Sequence, residues 1–459
     1  MSRAPESTAS ILGLRPGGTL RGELRVPGSK SIAQRVLIAA GVAGGATSIA
    51  GLPDGDDVTS ALALVEACGA RVERLAPRAV RVHGRPPGPH RGLEPRGAVD
   101  VGESGTLARL ATAAIGFCGH AGTEFEISAR GSLRTRKSPA LFRALAAAGV
   151  GLRAIETADG AQATERWPVR VVPIGPPSSL SIVDPSSSQE VSALLLALAA
   201  YPDTVELAVR GVIPSRPYLE LTLDVLARFG ASIERVANTN GESWRVRGPL
   251  VPPAEPYTIE ADASSAAVAL AAACLAGGAL RVPGITRDSR QGDVRIVSYL
   301  RAFGCDADAD ASSIGASGRP THGADLDLTG EPDLAPVLAA VAASVALGGH
   351  GLDACTRLRG LATLQGKESA RISVLAEGLG ALGLAIEATD DELVIRPGTG
   401  ERRARELVLD PHADHRMAFA FALVGLSAEG VRVRDAGCVA KSWPSFWRDL
   451  ERAGARVSR

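Results

Sequence analysis

Apolar and polar positions alternate between two patterns along this chain, and the alternation repeats. A polar start carrying Ser, Thr or Asp opens a nearly all-apolar run with helical spacing that closes at glycine; short alternating segments follow, then an amphipathic run ending in a Gly-Ala-like step before another alternating segment. The apolar runs begin near Ser31, Ser104, Ser187, Ser264, Asp333 and Asp414, a period of roughly 70–80 residues, longer than ordinary solenoid repeats. The amphipathic runs end at Gly69, Gly149, Gly230, Gly304, Gly383 and Gly454, where a helix C′ residue is expected, and strand-like alternation resumes after each. Six starts and six stops predict six copies of one α/β unit.

A helix apolar all round must be buried, so three such units are expected to pack their apolar helices together with the sheets outside. Six units then form two pseudo-threefold domains, with helix N-termini facing a shared cleft. Pro- and Gly-rich breaks at 85–96 and 173–177 read as loops, and the break at 248–256 reads as the domain crossing. That crossing puts 29–257 and 258–459 in different domains.

Composition narrows the function. The 459 residues carry 50 basic and 50 acidic side chains, which argues against a broad nucleic-acid or membrane-surface patch and requires any anion site to be local. Aromatics are only 3%, so base-stacking surfaces are not expected, and abundant small residues suit closely approaching helices. The apolar stretches Ser265–Leu280 and Leu334–Leu347 fall short of the roughly 20 strongly apolar residues of a membrane span and read as buried helices. Six scattered cysteines without a CxxC or Cys/His cluster read as buried thiols in a reducing compartment, and a short polar start without an apolar export segment points to the cytoplasm.

Candidate chemistry gathers at the helix starts. Gly28-Ser29-Lys30-Ser31 delivers a lysine and a serine to a helix N-terminus, where free N–H groups and the positive dipole end attract anions, and Arg35 shares a helix face with Ser31. The spacing is not that of a Walker A loop. Related starts are Glu103-Ser104-Gly105-Thr106, with Arg109 beyond, and Ser186-Ser187-Ser188-Gln189, while Arg134, Arg136 and Lys137 put three cations in one loop. Further along come Ser215-Arg216-Pro217-Tyr218, Asp262-Ala263-Ser264-Ser265, Gln291-Gly292-Asp293, Asp333, Lys367-Glu368-Ser369-Ala370-Arg371, Asp414-His415-Arg416-Met417 and Lys441-Ser442-Trp443-Pro444. Taken singly these read as helix caps and surface pairs: Asp333 as an N-cap, Lys367 and Arg371 as one helical turn apart with Glu368 between them.

Taken together and in this order, from about Leu24 to Trp447, these motifs resemble the 5-enolpyruvylshikimate-3-phosphate synthase family of enolpyruvyl transferases. The resemblance implies a two-domain inside-out α/β barrel of six units, three per domain, with the first strand in the C-terminal-side domain, so that 1–28 join 258–459 in one domain and 29–257 form the other. It implies transfer of the enolpyruvyl group of phosphoenolpyruvate to the 5-hydroxyl of shikimate 3-phosphate with release of phosphate, by a cytoplasmic monomer, without metal or organic cofactor and without nucleic-acid or membrane partners. The residues implied for shikimate 3-phosphate are Lys30, Ser31, Arg35, Ser187, Ser188, Gln189, Ser215, Tyr218, Asp333 and Lys367. Those implied for phosphoenolpyruvate are Lys30, Gly105, Arg136, Gln189, Arg371, Arg416 and Lys441. Asp333, Glu368 and Lys30 are implied to be catalytic, the two carboxylates as acid–base groups.

The related UDP-N-acetylglucosamine enolpyruvyl transferases have GAKN at the first motif and a reactive cysteine in the loop aligned with Ala129–Lys137, and this chain has neither. Four positions depart from the family's pattern: Glu103 before Ser-Gly-Thr, Lys137 in place of proline, Thr363 at an asparagine-like position and Ala370 in place of aspartate. Glu103 brings a carboxylate close to the expected anion site, which disfavours phosphoenolpyruvate unless Arg109 or Arg134 neutralises it. These departures leave two alternatives open: a paralogue acting on a different cyclic hydroxy-acid, and a non-catalytic anion-binding relative.

Overall fold

The computed structural model describes residues 10–88, 91–97, 99–155, 165–238, 241–348, 351–398 and 405–459. Pro89 and His90 of the expected 85–96 loop, and Met1–Ala9, on which the export reading rests, lie outside the described residues. The chain divides into two compact units, Gly28–Glu260 and Met1–Pro27 with Ala261–Arg459.

Among the described residues of Gly28–Glu260 six α-helices alternate in character. The apolar ones are α1 (Lys30–Val42), α3 (Gly105–Cys118) and α5 (Ser188–Leu198); the half-exposed ones are α2 (Asp56–Ala67), α4 (Pro139–Ala147) and α6 (Pro217–Arg228). Nearly every residue of α3 and α5 is buried, and α3 packs on both α1 and α5. Outside them lie three four-stranded sheets of one design, in which a first strand pairs in parallel with a second and two antiparallel strands follow. The sheet around Ala46–Ala50 takes its parallel edge from Tyr257–Thr258, which therefore belongs with this unit. Strand burial alternates, as in Val205–Arg210, because each sheet covers the helices with one face and meets solvent with the other.

The second unit repeats the plan with α7 (Ala263–Ala276), α9 (Ala335–Leu347) and α11 (His415–Val424) inside, and α8 (Ile296–Ala302), α10 (Arg371–Gly380) and α12 (Phe446–Arg452) as the partly exposed partners. All of α7 except Ser264 is buried, and α7, α9 and α11 touch one another. Alanine makes this approach possible, since a helix covered in methyl groups presents little bulk to its neighbours. The apolar run Ser265–Leu280 is not one helix: Gly277 ends α7 in the left-handed conformation, φ +68°, and a strand begins at Ala279. Among the described residues no helix is long and apolar enough to cross a membrane. Two sheets of this unit need the chain's beginning. Arg21–Glu23 pairs in parallel with Ala279–Arg281, and Gly13–Arg15 pairs antiparallel with Arg456–Ser458.

The glycines expected to end the amphipathic helices do so with one backbone geometry. Gly69, Gly149, Gly230, Gly304, Gly383 and Gly454 have φ between +81° and +111°, values that a Cβ makes costly.

Candidate functional site

In Gly28–Glu260 the expected anion-binding side chains sit at the starts of α1, α3, α5 and α6. Gly28 brings the chain so close to the Gly51 carbonyl that a Cβ would not fit, and α1 begins two residues later. Lys30 Nζ lies 3.1 Å from the largely buried Asp57 carboxylate at the start of α2. Arg35 is 1% exposed; it donates to Thr222 Oγ1 at 2.7 Å, the Ser31 carbonyl at 2.8 Å and the Tyr218 carbonyl at 3.2 Å. Among the described residues no carboxylate pairs with it, and burial pulls its guanidinium down to about 10 despite Tyr218 acting the other way. A buried cation without an anion is costly, so this arrangement favours a ligand that supplies one.

At α5, Ser187 caps the helix by accepting from Gln189 N at 3.3 Å, while the Ser188 hydroxyl is buried with no hydrogen-bond partner. Ser215 is buried in the left-handed region at φ +51°, directing the chain into α6, where Tyr218 is half-buried. Arg136 Nη2 donates to the Glu103 carbonyl at 2.7 Å, and its Nε is buried without a partner.

A network that sequence reading did not assign stiffens this region. Arg109 donates from Nε to Ser138 Oγ at 2.9 Å and from Nη1 to Gln189 Oε1 at 3.0 Å and the Gly105 carbonyl at 2.9 Å. Ser138 Oγ donates in turn to Glu190 Oε1 at 2.6 Å, and the other Glu190 oxygen accepts from Ser186 N at 2.7 Å. Arg109 is therefore engaged by Ser138, Gln189 and the field of Glu190, and the Glu103 carboxylate lies against Gly131.

The other unit holds a charge cluster at the starts of α9, α10 and α11. Arg371, 1% exposed, donates to three carboxylates: Asp414 at 2.7 Å from Nε, Asp333 at 2.8 Å from Nη1 and Glu368 at 2.6 Å from Nη2. Asp333 also faces Lys367 at 3.5 Å and Arg416 at 3.4 Å, and Glu368 accepts from Lys441 at 3.1 Å. Burial alone would raise the Asp333 carboxyl, but Arg416, Lys367 and Arg371 outweigh it and hold the group well below the usual carboxylate range. Burial alone would lower the Arg371 guanidinium, but Asp414, Glu368 and Asp333 outweigh it and raise the group.

Two local expectations change. Asp333 lies in a 3-10 turn, Pro332–Leu334, and does not cap α9; its carboxylate turns to the cations instead. Lys367 and Glu368 precede α10, which starts at Arg371, so they share no helical face with it. Asp414 is the residue that caps, accepting from Arg416 N at 2.9 Å while holding Arg371. A further branch runs through Ser264: Arg416 Nη2 donates to Ser264 Oγ at 3.2 Å, and Ser264 hydrogen-bonds Asp293, which burial pushes up to about 7 against the pull of Arg416 and Ser264.

Residues 14–450 match the family model for EPSP synthase, 3-phosphoshikimate 1-carboxyvinyltransferase. The chain belongs to the EPSP synthase family. The 3-phosphoshikimate 1-carboxyvinyltransferase of Nitrosomonas europaea is 35% identical over 439 residues, covering 93% of this chain and 95% of that protein. That of Aliivibrio fischeri strain ES114 is 31% identical over 446 residues, covering 96% and 98%. Among solved structures, EPSP synthase from Acinetobacter baumannii superposes with a TM-score of 0.73 at 25% identity, covering 98% of this chain and all of that one. The enolpyruvyl transferase NikO from Streptomyces tendae shares the fold, with a TM-score of 0.68 at 21% identity and 98% coverage of both chains. The fold is thus the two-domain inside-out α/β fold of the enolpyruvyl transferases.

Within this EPSP synthase family chain, Lys30, Ser31, Arg35, Ser187, Ser188, Gln189, Ser215, Tyr218, Gly105 and Arg136 lie in one unit, and Asp333, Lys367, Glu368, Arg371, Arg416 and Lys441 in the other. Asp57, Arg109, Ser138, Glu190 and Thr222 escaped sequence reading as partners because the bonds that tie them together and to Lys30, Arg35 and Gln189 join different helices, and no local spacing marks that pairing. Asp293 stood in a recognisable Gln-Gly-Asp motif, but its tie to Ser264 depends on how a turn packs on α7.

Proposed function

We propose that this chain transfers the carboxyvinyl group of phosphoenolpyruvate to the 5-hydroxyl of 3-phosphoshikimate and releases inorganic phosphate, acting as a monomer in a reducing cytoplasm, with which its six free thiols agree. The observation that carries this reading is the pair of carboxylates, Asp333 and Glu368, held by one buried guanidinium and flanked by Lys367, Arg416 and Lys441. Such a set can move protons beside multiply charged anions.

In this reading Arg35 and Ser31 take the shikimate carboxylate, which would supply the counter-ion Arg35 lacks. Ser187, Ser188 and Ser215 take the 3-phosphate at a helix N-terminus, giving the Ser188 hydroxyl a partner, and Tyr218 lies against the ring. Lys30, Gly105, Arg136, Gln189 and Lys441 surround the phosphate of phosphoenolpyruvate, and Lys367 hydrogen-bonds acceptor hydroxyls. Arg371 and Arg416 take the donor carboxylate. That carboxylate competes with Asp333 for the same N–H groups, so its arrival lets the Asp333 carboxyl rise toward a value at which it can accept a proton. The 5-hydroxyl then loses its proton toward Asp333 as it attacks C2, while the methylene carbon gains one from the Glu368 side. A tetrahedral ketal phosphate results; phosphate departs beside Lys30 and Lys441, and the methyl group returns its proton.

The test is phosphate release from phosphoenolpyruvate by purified protein, with and without 3-phosphoshikimate. Release only with the acceptor, alongside a product heavier than the acceptor by the carboxyvinyl group, is expected. Absence of release at high enzyme concentration would overturn the reading.

A further inference from the structure

Away from these charges, two cysteines lie near one another beside an open recess. Cys274 lies in the last turn of α7 and is fully buried; Cys305 directly precedes the strand Asp306–Ala309 and is 5% exposed. Cys274 Sγ contacts the Ser317 carbonyl at 3.9 Å, and Ser317 pairs across the sheet with Asp306, the neighbour of Cys305. Cys305 is thereby placed beside Cys274, and each thiol shifts the other's titration, raising Cys274 and lowering Cys305. Cys305, but not Cys274, lines an open recess of about 740 Å³ together with Glu23, Arg281, Arg301 and Asp308, so a small polar solute approaches the pair from the Cys305 side.

We propose that Cys274 and Cys305 are a peroxide-reactive pair that closes into a reversible disulfide. The Cys305 sulfur attacks one peroxide oxygen, forming an S–O bond as the O–O bond breaks and hydroxide leaves, taking up the thiol proton as water. Cys274 then attacks the Cys305 sulfenic sulfur: the S–S bond forms, the S–O bond breaks, and the departing hydroxide takes the Cys274 proton to give a second water. Two thiols lose two electrons and one hydroperoxide is reduced, so no other reactant is needed; a small thiol reductant reverses the change.

The contrast with the other buried cysteines supports the choice of nucleophile. The neighbouring Cys274 holds the Cys305 thiol below its ordinary value against burial and Asp306, whereas burial alone pushes Cys68 up to about 12.

The full-length protein is treated with hydrogen peroxide, unfolded, alkylated and mapped by mass spectrometry. A peptide linking Cys274 to Cys305, lighter by two hydrogens than its separate parts and released by dithiothreitol, is expected. In Cys274→Ala, a dimedone adduct on Cys305 is expected, because the sulfenic acid has lost its resolving thiol. Full alkylation of both cysteines after peroxide treatment, or irreversible oxidation of Cys305 in the unsubstituted protein without the link, would overturn the proposal.

Discussion

Two aspartates a short distance apart along one charge path show how neighbours decide what a carboxylate does. Asp333 is surrounded by three cations and stays ionised; Asp293 is buried behind Ser264 with only indirect cationic help and is pushed up to about 7. Asp333 thus holds charge in the empty protein, and a donor carboxylate on Arg371 and Arg416 must loosen it before it can take a proton. Asp333→Asn or Glu368→Gln is expected to lower kcat by roughly 10²–10⁴-fold while shifting substrate dissociation constants by less than about tenfold. Steady-state kinetics with equilibrium binding would show this, and undiminished turnover would remove both acid–base assignments. Glu103 is the reverse case, a carboxylate close to side chains expected to bind phosphate. Because Arg136 holds the Glu103 main-chain carbonyl, Glu103→Asn keeps that bond and removes one negative charge. Phosphoenolpyruvate is expected to bind a few-fold tighter to this variant, as read by fluorescence or calorimetric titration; equal or weaker binding counts against the idea.

At the scale of elements, the turn Gly292–Arg295 and helix α7 form one device, since Gln291 Oε1 accepts from Ala263 N at 3.1 Å and Asp293 holds Ser264. The pH dependence of stability follows from the raised Asp293 value. An unfolded aspartate titrates near 3.8 and the folded one near 7, so the native state binds the extra proton in between. Its stabilising contribution is complete below the unfolded value and is lost as pH rises through about 7, a loss of about 2–3 kcal/mol between pH 5 and 8. Asp333 works in the opposite sense: its contribution is present above the unfolded carboxylate value and is lost only as pH falls toward its depressed folded one. Urea unfolding at pH 5 and pH 8 should therefore show a slope in the unsubstituted protein that Asp293→Asn abolishes; an identical slope in the variant would refute the assignment. These elements also show what a sequence can reveal. Each terminating glycine was readable because a left-handed residue is a local backbone demand, and the starts of α3, α5, α7 and α11 were readable because Ser104, Ser187, Asp262 and Asp414 cap them. The Asp333 turn was not, since Pro332 delays α9 and frees the carboxylate for cations far away in sequence. Nor were the pairings of Lys30 with Asp57, between two helices of one repeat, or of Gln34 with Ser104, between two repeats, which exist only once those helices pack together.

For the molecule as a whole, the path of the chain distinguishes the two units. All three sheets of Gly28–Glu260 draw their strands from within that stretch, including the edge strand Tyr257–Thr258. The unit of Ala261–Arg459 instead borrows Gly13–Arg15 and Arg21–Glu23, and with them Leu14 and Leu20, 1% and 0% exposed, and the nearly buried Leu24 and Val26. Full burial of such a side chain contributes about 1.5–3 kcal/mol, so losing these four together removes a sum comparable to the whole stability of an ordinary domain. A fragment of residues 28–260 is therefore expected to fold alone, with a cooperative thermal transition and dispersed amide resonances. A fragment of residues 261–459 is expected to lack a cooperative transition, and to regain one when the segment 10–27 is supplied as a peptide or fused through a linker. Should the 261–459 fragment melt cooperatively without that segment, the N-terminal strands would be ornament on a core that is already complete.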